Sequence, residues 1–187
     1  MDIYESFKLT RKTYFEHNDY PKKPGLYSVF LSDGSELGLF GQPGRLLYIG
    51  IAKNSLYDRD FAQHFSDGKT GRSTLRRSLG AILKETLELV AIPRGGKNDS
   101  KSCENYKFTL TGEKDLTNWM RANLEIGYWV PEPDINYKQL REKEKAVTIK
   151  LKPSLDLDNR TSRYNPLADK LRELRGICKI EAEKNLA

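Results

Sequence analysis

Two short segments limit most strongly what this chain can fold into. Gly25–Leu31 and Leu46–Ile51 are rich in aromatic and aliphatic residues, and this composition is typical of β-strands. Asp33-Gly34 provides a turn after the first segment, and a glycine-rich stretch over 38–44 leads to the second. This order predicts an antiparallel hairpin with a long connection and one tyrosine on each strand.

Helical spacing and capping residues predict the remaining elements. We expect strands near 88–93, 106–110 and 125–130, and helices near 56–65, 74–83, 111–124 and 137–151, with a last helix opening at Asn165-Pro166. The polar segment Arg94–Ser102 is the best candidate for a mobile loop. The mixture predicts an α/β fold of the α+β type, in which helices flank a small antiparallel sheet and an extra C-terminal helix follows.

Chain length limits the number of domains. With 187 residues, the chain can bury one core but not two ordinary domains and a linker. We therefore predict an N-terminal arm over 1–23 and a main domain over 24–157, with an insertion at about 84–136. Residues 158–187 are expected to be a helical extension of the same domain.

Charge and composition favour a polyanionic partner. The chain has 32 Lys+Arg against 26 Asp+Glu, which gives a net charge of +6 and a pI near 9.2. This surplus favours DNA without requiring it. No apolar run approaches the ~20 residues of a membrane-spanning helix, so no membrane partner is expected. No small organic cofactor is expected either.

The cysteines and histidines restrict the compartment and the metal. Cys103 and Cys178 lie far apart and no secretory leader is recognisable, so we expect a cytoplasmic protein with reduced thiols. With His17 and His64 as the only histidines, ligands at a spacing suited to zinc are lacking. Any bound metal should therefore be a hard cation held by carboxylates and water.

One carboxylate lies on the apolar side of the predicted helix 137–151. At about 100° per residue from Leu140, Val147 and Leu151 fall within about 20° of the same direction, and Glu144 falls about 40° away. A buried unpaired charge costs several kcal/mol, so Glu144 needs a cation beside it. That cation is either a neighbouring basic side chain or a metal ion.

Basic residues surround this helix and open another one. Lys145 is one of several basic residues on the other sides of helix 137–151. Arg72, Arg76 and Arg77 lie near the start or on the outer side of the helix that Ser73 or Thr74 caps. These side chains could lie along a phosphate backbone or simply form a solvated surface, and the sequence leaves both readings open.

The two tyrosine segments resemble the GIY-YIG nucleases. Gly25-Leu26-Tyr27 and Tyr48-Ile49-Gly50 resemble the two signature tripeptides of that family, which lie on adjacent strands and bring both tyrosines to one site. The resemblance therefore implies that residues 24–157 form a GIY-YIG-like nuclease domain.

Later segments extend the resemblance. Arg59 and His64 resemble the catalytic arginine of the family and a histidine that often follows it. Glu144 precedes Pro153 by nine residues and Asp156 by twelve, which resembles the spacing of the family's metal-binding glutamate, a proline and a polar residue, usually asparagine. His64 follows Arg59 by five positions where four is usual, so either this helix is irregular or His64 is not a site residue.

The resemblance implies a role for each of these residues in phosphodiester hydrolysis. Glu144 would hold one Mg²⁺ (or Mn²⁺) and Arg59 would brace the non-bridging phosphate oxygens. Tyr27 would be the general base, provided that Arg59, Lys53 or metal-bound water lowers its pKa from about 10. Tyr48 would orient the attacking water and His64 could relay a proton.

The other candidate residues support this site or contact the substrate. Gly25, Gly50 and Asp156 complete the candidate site. The side chains expected to contact nucleic acid are Lys53, Arg72, Arg76, Arg77 and Lys145.

The implied activity is that of a metal-dependent DNA endonuclease. A restriction-type role and a repair or branch-processing role are both compatible with the sequence. The alternative is a catalytically inactive nucleic-acid-binding module on the same scaffold, which Asp156 in place of asparagine and the spacing of Arg59 and His64 would support. A protein-interaction domain is less compatible, because it leaves Glu144 unexplained. The oligomeric state is open, although a palindromic target would imply a homodimer.

Overall fold

The computed structural model describes residues 2–95 and 100–185. The helices and strands are, in chain order, α1 (Ile3–Thr10), β1 (Lys12–Thr13), β2 (Gly25–Leu31), β3 (Leu46–Ala52), α2 (Thr74–Ile82), β4 (Ala91–Ile92), α3 (Ser100–Glu104), β5 (Lys107–Phe108), α4 (Leu110–Asn123), β6 (Leu124–Trp129), α5 (Tyr137–Leu151) and α6 (Ala168–Lys184). A π-helix covers Tyr57–Ala62. The chain forms two compact units, and we call Met1–Ala62 with Arg121–Ala168 the sheet unit and Gln63–Met120 with Asp169–Ala187 the helical unit.

The sheet unit is built on a four-stranded antiparallel sheet with the strand order β1-β6-β2-β3. The predicted hairpin is confirmed, since β2 pairs directly with β3. Tyr27 lies opposite Gly50 and Val29 lies opposite Tyr48, and the register shifts after Val29. Side chains alternate between the two faces of a strand, so this register directs both tyrosines to the same face.

The opposite face of the sheet carries the core of this unit. Leu26, Phe30 and Ile49 pack there with Leu140 and Val147 of α5. The predicted bounds of α5 are confirmed, because Asn136 caps its start and Lys152 ends it in the left-handed conformation. The apolar stripe read from the sequence is therefore the face that α5 presents to the sheet.

The N-terminal segment is part of this unit, in contrast to the arm expected over 1–23. α1 presents Phe7 to the core, where its side chain is fully buried, and β1 pairs with β6. Asp2 caps α1 by accepting hydrogen bonds from the backbone amides of Tyr4 and Glu5. The sequence does not reveal this helix, because α1 has only two turns and few apolar residues, and polar residues lie between them.

The helical unit contains a short hairpin and a capped helix. β4 and β5 pair antiparallel, and both are shorter than the strands expected at 88–93 and 106–110. Of the two predicted caps of α2, Ser73 is the one used, with its side chain accepting from the backbone amide of Arg76. Part of the predicted mobile loop, residues 96–99, lies outside the described residues, and α3 forms the segment that follows them.

Together these elements confirm the α+β class predicted from the sequence, with a small antiparallel sheet, flanking helices and an additional C-terminal helix. α6 begins at Ala168, two residues after Pro166. Over residues 2–95 and 100–185, no helix has the length and apolar character needed to cross a membrane.

Candidate active site

The two signature tyrosines meet on the face of the sheet opposite α5. Their ring centroids are 6.1 Å apart and the ring planes are tilted by 35°. Tyr27 is fully buried, whereas Tyr48 is partly exposed. The register explains this approach, because Tyr27 crosses over Gly50 and reaches toward the neighbouring Tyr48 on the same face.

Both signature glycines are required by close packing. A Cβ atom at Gly50 would lie 2.2 Å from the hydroxyl oxygen of Tyr27, and one at Gly25 would lie 2.5 Å from the carbonyl oxygen of Trp129. Neither distance is possible between non-bonded atoms. A larger residue at position 50 would displace Tyr27, and one at position 25 would separate β2 from β6. The glycines of the two tripeptides therefore shape the site by allowing this close packing.

Arg59 lies on the π-helix and acts electrostatically on both tyrosines. Its positive charge lowers the pKa of each phenol, but burial has the larger effect and the opposite sign. Burial raises the pKa of Tyr27 well above its ordinary value, and raises that of Tyr48 to about 12. Arg59 thus lowers the pKa of Tyr27, as a general base would need, but its effect is smaller than that of burial. Both hydroxyls are therefore protonated at neutral pH.

The residue after Arg59 is a buried acid that the sequence reasoning missed. Asp60 is fully buried and accepts a short hydrogen bond from the hydroxyl of Tyr20. Burial raises the pKa of Asp60 to about 8 despite this hydrogen bond and the nearby Arg59. A π-helix places successive side chains differently from an α-helix, so ordinary helical spacing could not have identified Asp60 as an inward-facing residue.

Glu144 has a basic partner in the sheet unit. It is 6% exposed, and its Oε2 atom accepts a hydrogen bond of 2.8 Å from Nη2 of Arg160. Arg160 also binds Asp158 through Nε and Nη2, at 2.9 and 3.0 Å. Burial raises the pKa of Glu144, and Arg160 opposes that rise. The sequence left a basic side chain or a metal ion as the cation beside Glu144, and the structure places the basic side chain of Arg160 there.

The acidic cluster lies close enough to Tyr48 to affect it. The negative charges of Glu144, Asp156 and Asp158 each raise the pKa of Tyr48, while Arg59 lowers it. The pKa of Tyr48 therefore depends both on Arg59 of the π-helix and on Glu144 of α5. This electrostatic link brings four of the residues predicted from the sequence, Tyr27, Tyr48, Arg59 and Glu144, into one neighbourhood.

Asp156 supports the loop that follows α5. Its side chain is almost fully buried, and its Oδ1 atom accepts from the backbone amide of Asp158 at 3.0 Å. The same loop is fixed by a hydrogen bond of 2.8 Å from the amide of Leu155 to the carbonyl of Leu47 on β3. Asp156 therefore helps to hold Asp158, which in turn binds Arg160.

The chemistry of Glu144 is compatible with one hard divalent cation. Its second oxygen, Oε1, makes no hydrogen bond to any of the described residues. No group of three or more metal-ligating side chains is found within residues 2–95 and 100–185, so water would have to complete the coordination. A single carboxylate with one available oxygen fits the ligand set predicted from the sequence.

Three predicted site residues lie in the helical unit and are buried there. His64 has Nδ1 at 2.7 Å from the hydroxyl of Ser73. Arg76 is 0% exposed and forms an ion pair of 2.8 Å with Glu113, and Arg77 donates to the carbonyls of Thr70 and Gly71. The expectation that Arg76 and Arg77 contact phosphate is therefore corrected, since both guanidinium groups are used inside the protein. The buried position of His64 likewise favours a structural role over the predicted proton relay.

The remaining basic candidates are accessible. Lys53 and Arg72 are exposed, and Lys145 on α5 is partly exposed. The Nζ atom of Lys53 lies 5.5 Å from the ring centroid of Tyr137. These three side chains remain available to contact a substrate.

Comparison with known proteins agrees with the family suggested by these residues. A model described as the GIY-YIG catalytic domain matches residues 40–177, which is more than half of the chain. The chain therefore belongs to the GIY-YIG family, and this membership supports a nuclease-type function. The match begins after Gly25-Leu26-Tyr27 and includes Tyr48, Arg59 and Glu144. No curated protein and no solved structure matches the chain significantly.

Proposed function

We propose that this protein is a metal-dependent DNA endonuclease that hydrolyses phosphodiester bonds. The observation that carries the proposal is that a tyrosine pair, an arginine and a buried glutamate act on one another within the sheet unit. Phosphodiester hydrolysis requires an activated water and compensation of the negative charge that develops on the phosphoryl oxygens. These side chains supply both requirements.

Glu144 is the residue that would hold the metal ion. Its Oε1 atom would bind Mg²⁺ or Mn²⁺ together with water molecules, and the bound ion would supply positive charge at the phosphate and the leaving oxygen. Arg160 favours the ionised form of Glu144, because its positive charge opposes part of the rise in pKa that burial causes. Asp158 in turn orients Arg160 through two hydrogen bonds.

Arg59 would bind the non-bridging oxygens of the phosphate. Its planar guanidinium group offers several parallel donors, a geometry that suits phosphate better than a lysine would. The charge that lowers the pKa of both tyrosines is then also the charge that attracts the substrate to them.

In its ionised form, Tyr27 would accept the proton of the attacking water at its phenolate oxygen, which restores the neutral phenol, and Tyr48 would orient that water. A hydrogen bond joins the two tyrosine side chains, so loss of a proton from one affects the other. Because burial raises the pKa of Tyr27 well above its ordinary value, only a small fraction is ionised at neutral pH. The rate of hydrolysis should therefore rise with pH without reaching a plateau between about pH 6 and 10.

One observation favours a second candidate function, a nucleic-acid-binding module that does not cleave. Arg160 already neutralises Glu144 at 2.8 Å, so a metal ion is not needed to compensate the buried charge. In this alternative the accessible basic side chains bind DNA, and the carboxylates near Tyr48 are purely structural. The basic side chains are those of Lys53, Arg72 and Lys145. The two functions differ in whether the protein cleaves DNA when a divalent metal ion is present.

A cleavage assay with matched tyrosine variants tests the proposal. Tyr27→Phe removes one buried hydroxyl at the site, and Tyr106→Phe removes one in the helical unit that donates to the carbonyl of Arg77 at 2.8 Å. Single-turnover cleavage of a mixed pool of duplex and branched DNA is measured with Mg²⁺, with Mn²⁺ and with chelator. We expect wild type and Tyr106→Phe to cleave with either metal, and Tyr27→Phe to lose about 10²- to 10⁴-fold in rate.

The products also separate the proposed roles. Cleavage of simple duplexes at fixed sequences favours a restriction-type enzyme, whereas cleavage confined to branched substrates favours repair or branch processing. Tight binding without cleavage by wild type in either metal would reject the endonuclease and support the binding module. Equal rates for wild type and Tyr27→Phe would reject Tyr27 as the base.

A further inference from the structure

The helical unit contains a cavity whose ionisable lining residues are all basic. Its volume is about 460 Å³, and Lys69, Arg72, Arg94 and Lys107 contribute to its walls together with glycines. Among the residues that the structure describes, no carboxylate forms an ion pair with any of these four side chains. Four like charges around one space repel each other, so an anion in that space would relieve the repulsion.

Buried groups hold the loop that carries two of these charges. Thr70, between Lys69 and Arg72, is fully buried, and its hydroxyl donates to Glu113 at 2.9 Å. The same hydroxyl accepts from Nε of Arg76 at 3.0 Å. The buried ion pair of Arg76 and Glu113 therefore fixes the backbone of this loop through Thr70, and Lys69 and Arg72 extend from that fixed backbone.

A glycine lets the third charge reach the same wall. A Cβ atom at Gly71 would lie 2.4 Å from Cγ of Arg94, so the stem of Arg94 can pack against this position only because it is glycine. Nη1 of Arg94 donates to the carbonyl of Gly71 at 3.2 Å, and Arg77 donates to the same carbonyl at 3.1 Å. Arg94 is thus held against the loop, and its remaining donors are available to the cavity.

We propose that this cavity binds a phosphate group of the DNA backbone outside the bond that is cleaved. The inference rests on the proposed function, because it takes DNA as the substrate. Arginine forks and lysine ammonium groups are the side chains that most often contact phosphate in protein–DNA interfaces. The cavity would add affinity and fix the position of the duplex, but it would read no base sequence. This site explains why Arg72 is exposed and free of ion pairs within the described residues while its neighbours Arg76 and Arg77 are buried.

Charge-neutral variants of the full chain test this inference. The cavity variant carries Lys69→Gln, Arg72→Gln, Arg94→Gln and Lys107→Gln. The control variant has the same change in net charge at four exposed positions outside the cavity, Lys114→Gln, Lys170→Gln, Arg172→Gln and Lys184→Gln. A smaller variant, Lys69→Gln with Arg72→Gln, changes only exposed side chains and guards against a folding defect, which thermal melting monitors.

The measurement is fluorescence anisotropy of a labelled duplex in chelator, from about 50 to 200 mM salt. Each neutralised phosphate contributes about −0.9 to the slope of log affinity against log salt concentration. We expect the cavity variant to lose this one phosphate contact, so that the slope becomes shallower by about 0.9 and affinity falls about tenfold at low salt. The smaller variant should show an intermediate loss, and the control variant should lose less than the cavity variant.

Two outcomes would overturn the inference while leaving the proposed function intact. One is equal slopes and affinities for the cavity and control variants, with wild type still binding and cutting DNA. The other is a cavity variant that loses binding of inorganic phosphate, added at constant ionic strength, but keeps its affinity for the duplex, since the site would then serve a free anion. Absence of duplex binding by wild type would instead reject DNA as the partner and the inference with it.

Discussion

The buried carboxyl of Asp60 should make the stability of this protein fall as the pH rises. The substitution that tests this is Asp60→Asn, which keeps an oxygen that can accept from the hydroxyl of Tyr20 but cannot ionise. Asp60 lies on the same π-helix as Arg59, the residue proposed to bind phosphate. The matched control is Asp58→Asn, which changes an exposed carboxyl of that helix.

The size of the effect follows from the difference between the folded and unfolded pKa values. The pKa of Asp60 is about 8 in the folded protein, against an ordinary value of 3.8. Between these values the folded state binds more protons than the unfolded state, so the free energy of unfolding decreases with rising pH. At about 1.4 kcal/mol per pKa unit, the full loss amounts to roughly 6 kcal/mol. The stabilising contribution is complete below about pH 4, and the loss is complete once the pH has passed about 8.

The assay is urea unfolding at intervals from about pH 4.5 to 8.5 for wild type and both variants. Other carboxyl groups titrate in all three proteins, so the informative quantity is the difference between Asp60→Asn and wild type. We expect Asp60→Asn to become progressively more stable relative to wild type as the pH rises, and Asp58→Asn to follow wild type within about 0.5 kcal/mol. A difference between Asp60→Asn and wild type that does not change with pH would refute the reasoning.

Two further substitutions test the packing that shapes each unit. Glu113→Gln should lower the free energy of unfolding by about 3 to 5 kcal/mol, because it leaves the guanidinium of Arg76 buried without its counter-ion. Glu173→Gln, at an exposed pair with Lys170, should cost at most about 1 kcal/mol in the same urea unfolding experiment. Gly50→Ala should destabilise by about 1 to 3 kcal/mol and reduce cleavage, because the new methyl group would lie 2.2 Å from the Tyr27 hydroxyl. Wild-type stability in Glu113→Gln or in Gly50→Ala would contradict the corresponding contact.

The parts of the fold that the sequence predicted correctly are those with a strong local signal. The hairpin of β2 and β3 has strand composition on both sides of a turn, and α5 has an apolar stripe bounded by a capping asparagine and a following proline. Both patterns are set by residues close in the chain. Gly50 is also intelligible from the pattern once the register is known, since it lies opposite Tyr27.

The parts that were missed depend on contacts between residues distant in the chain. Arg160 follows Glu144 by sixteen positions and is brought to it by the loop after α5. Asp60 faces inward because the helix around it is a π-helix, and its partner Tyr20 lies forty positions earlier. Arg76 was expected near the start or on the outer side of its helix. It is buried instead, and its pairing with Glu113 compensates the buried charge. No spacing rule encodes these pairs.

The role of Glu144 is the central claim, and one substitution tests it most directly. Glu144→Gln removes the charge that would hold the metal ion without changing the size of the side chain, and Glu142→Gln makes the same change at an exposed position of α5. Single-turnover DNA cleavage is measured over a range of Mg²⁺ concentrations, together with duplex affinity in chelator. We expect Glu144→Gln to abolish cleavage while duplex affinity stays within a few-fold of wild type, and Glu142→Gln to cleave normally. Mg²⁺-dependent cleavage by Glu144→Gln at a rate near that of wild type would contradict the claim.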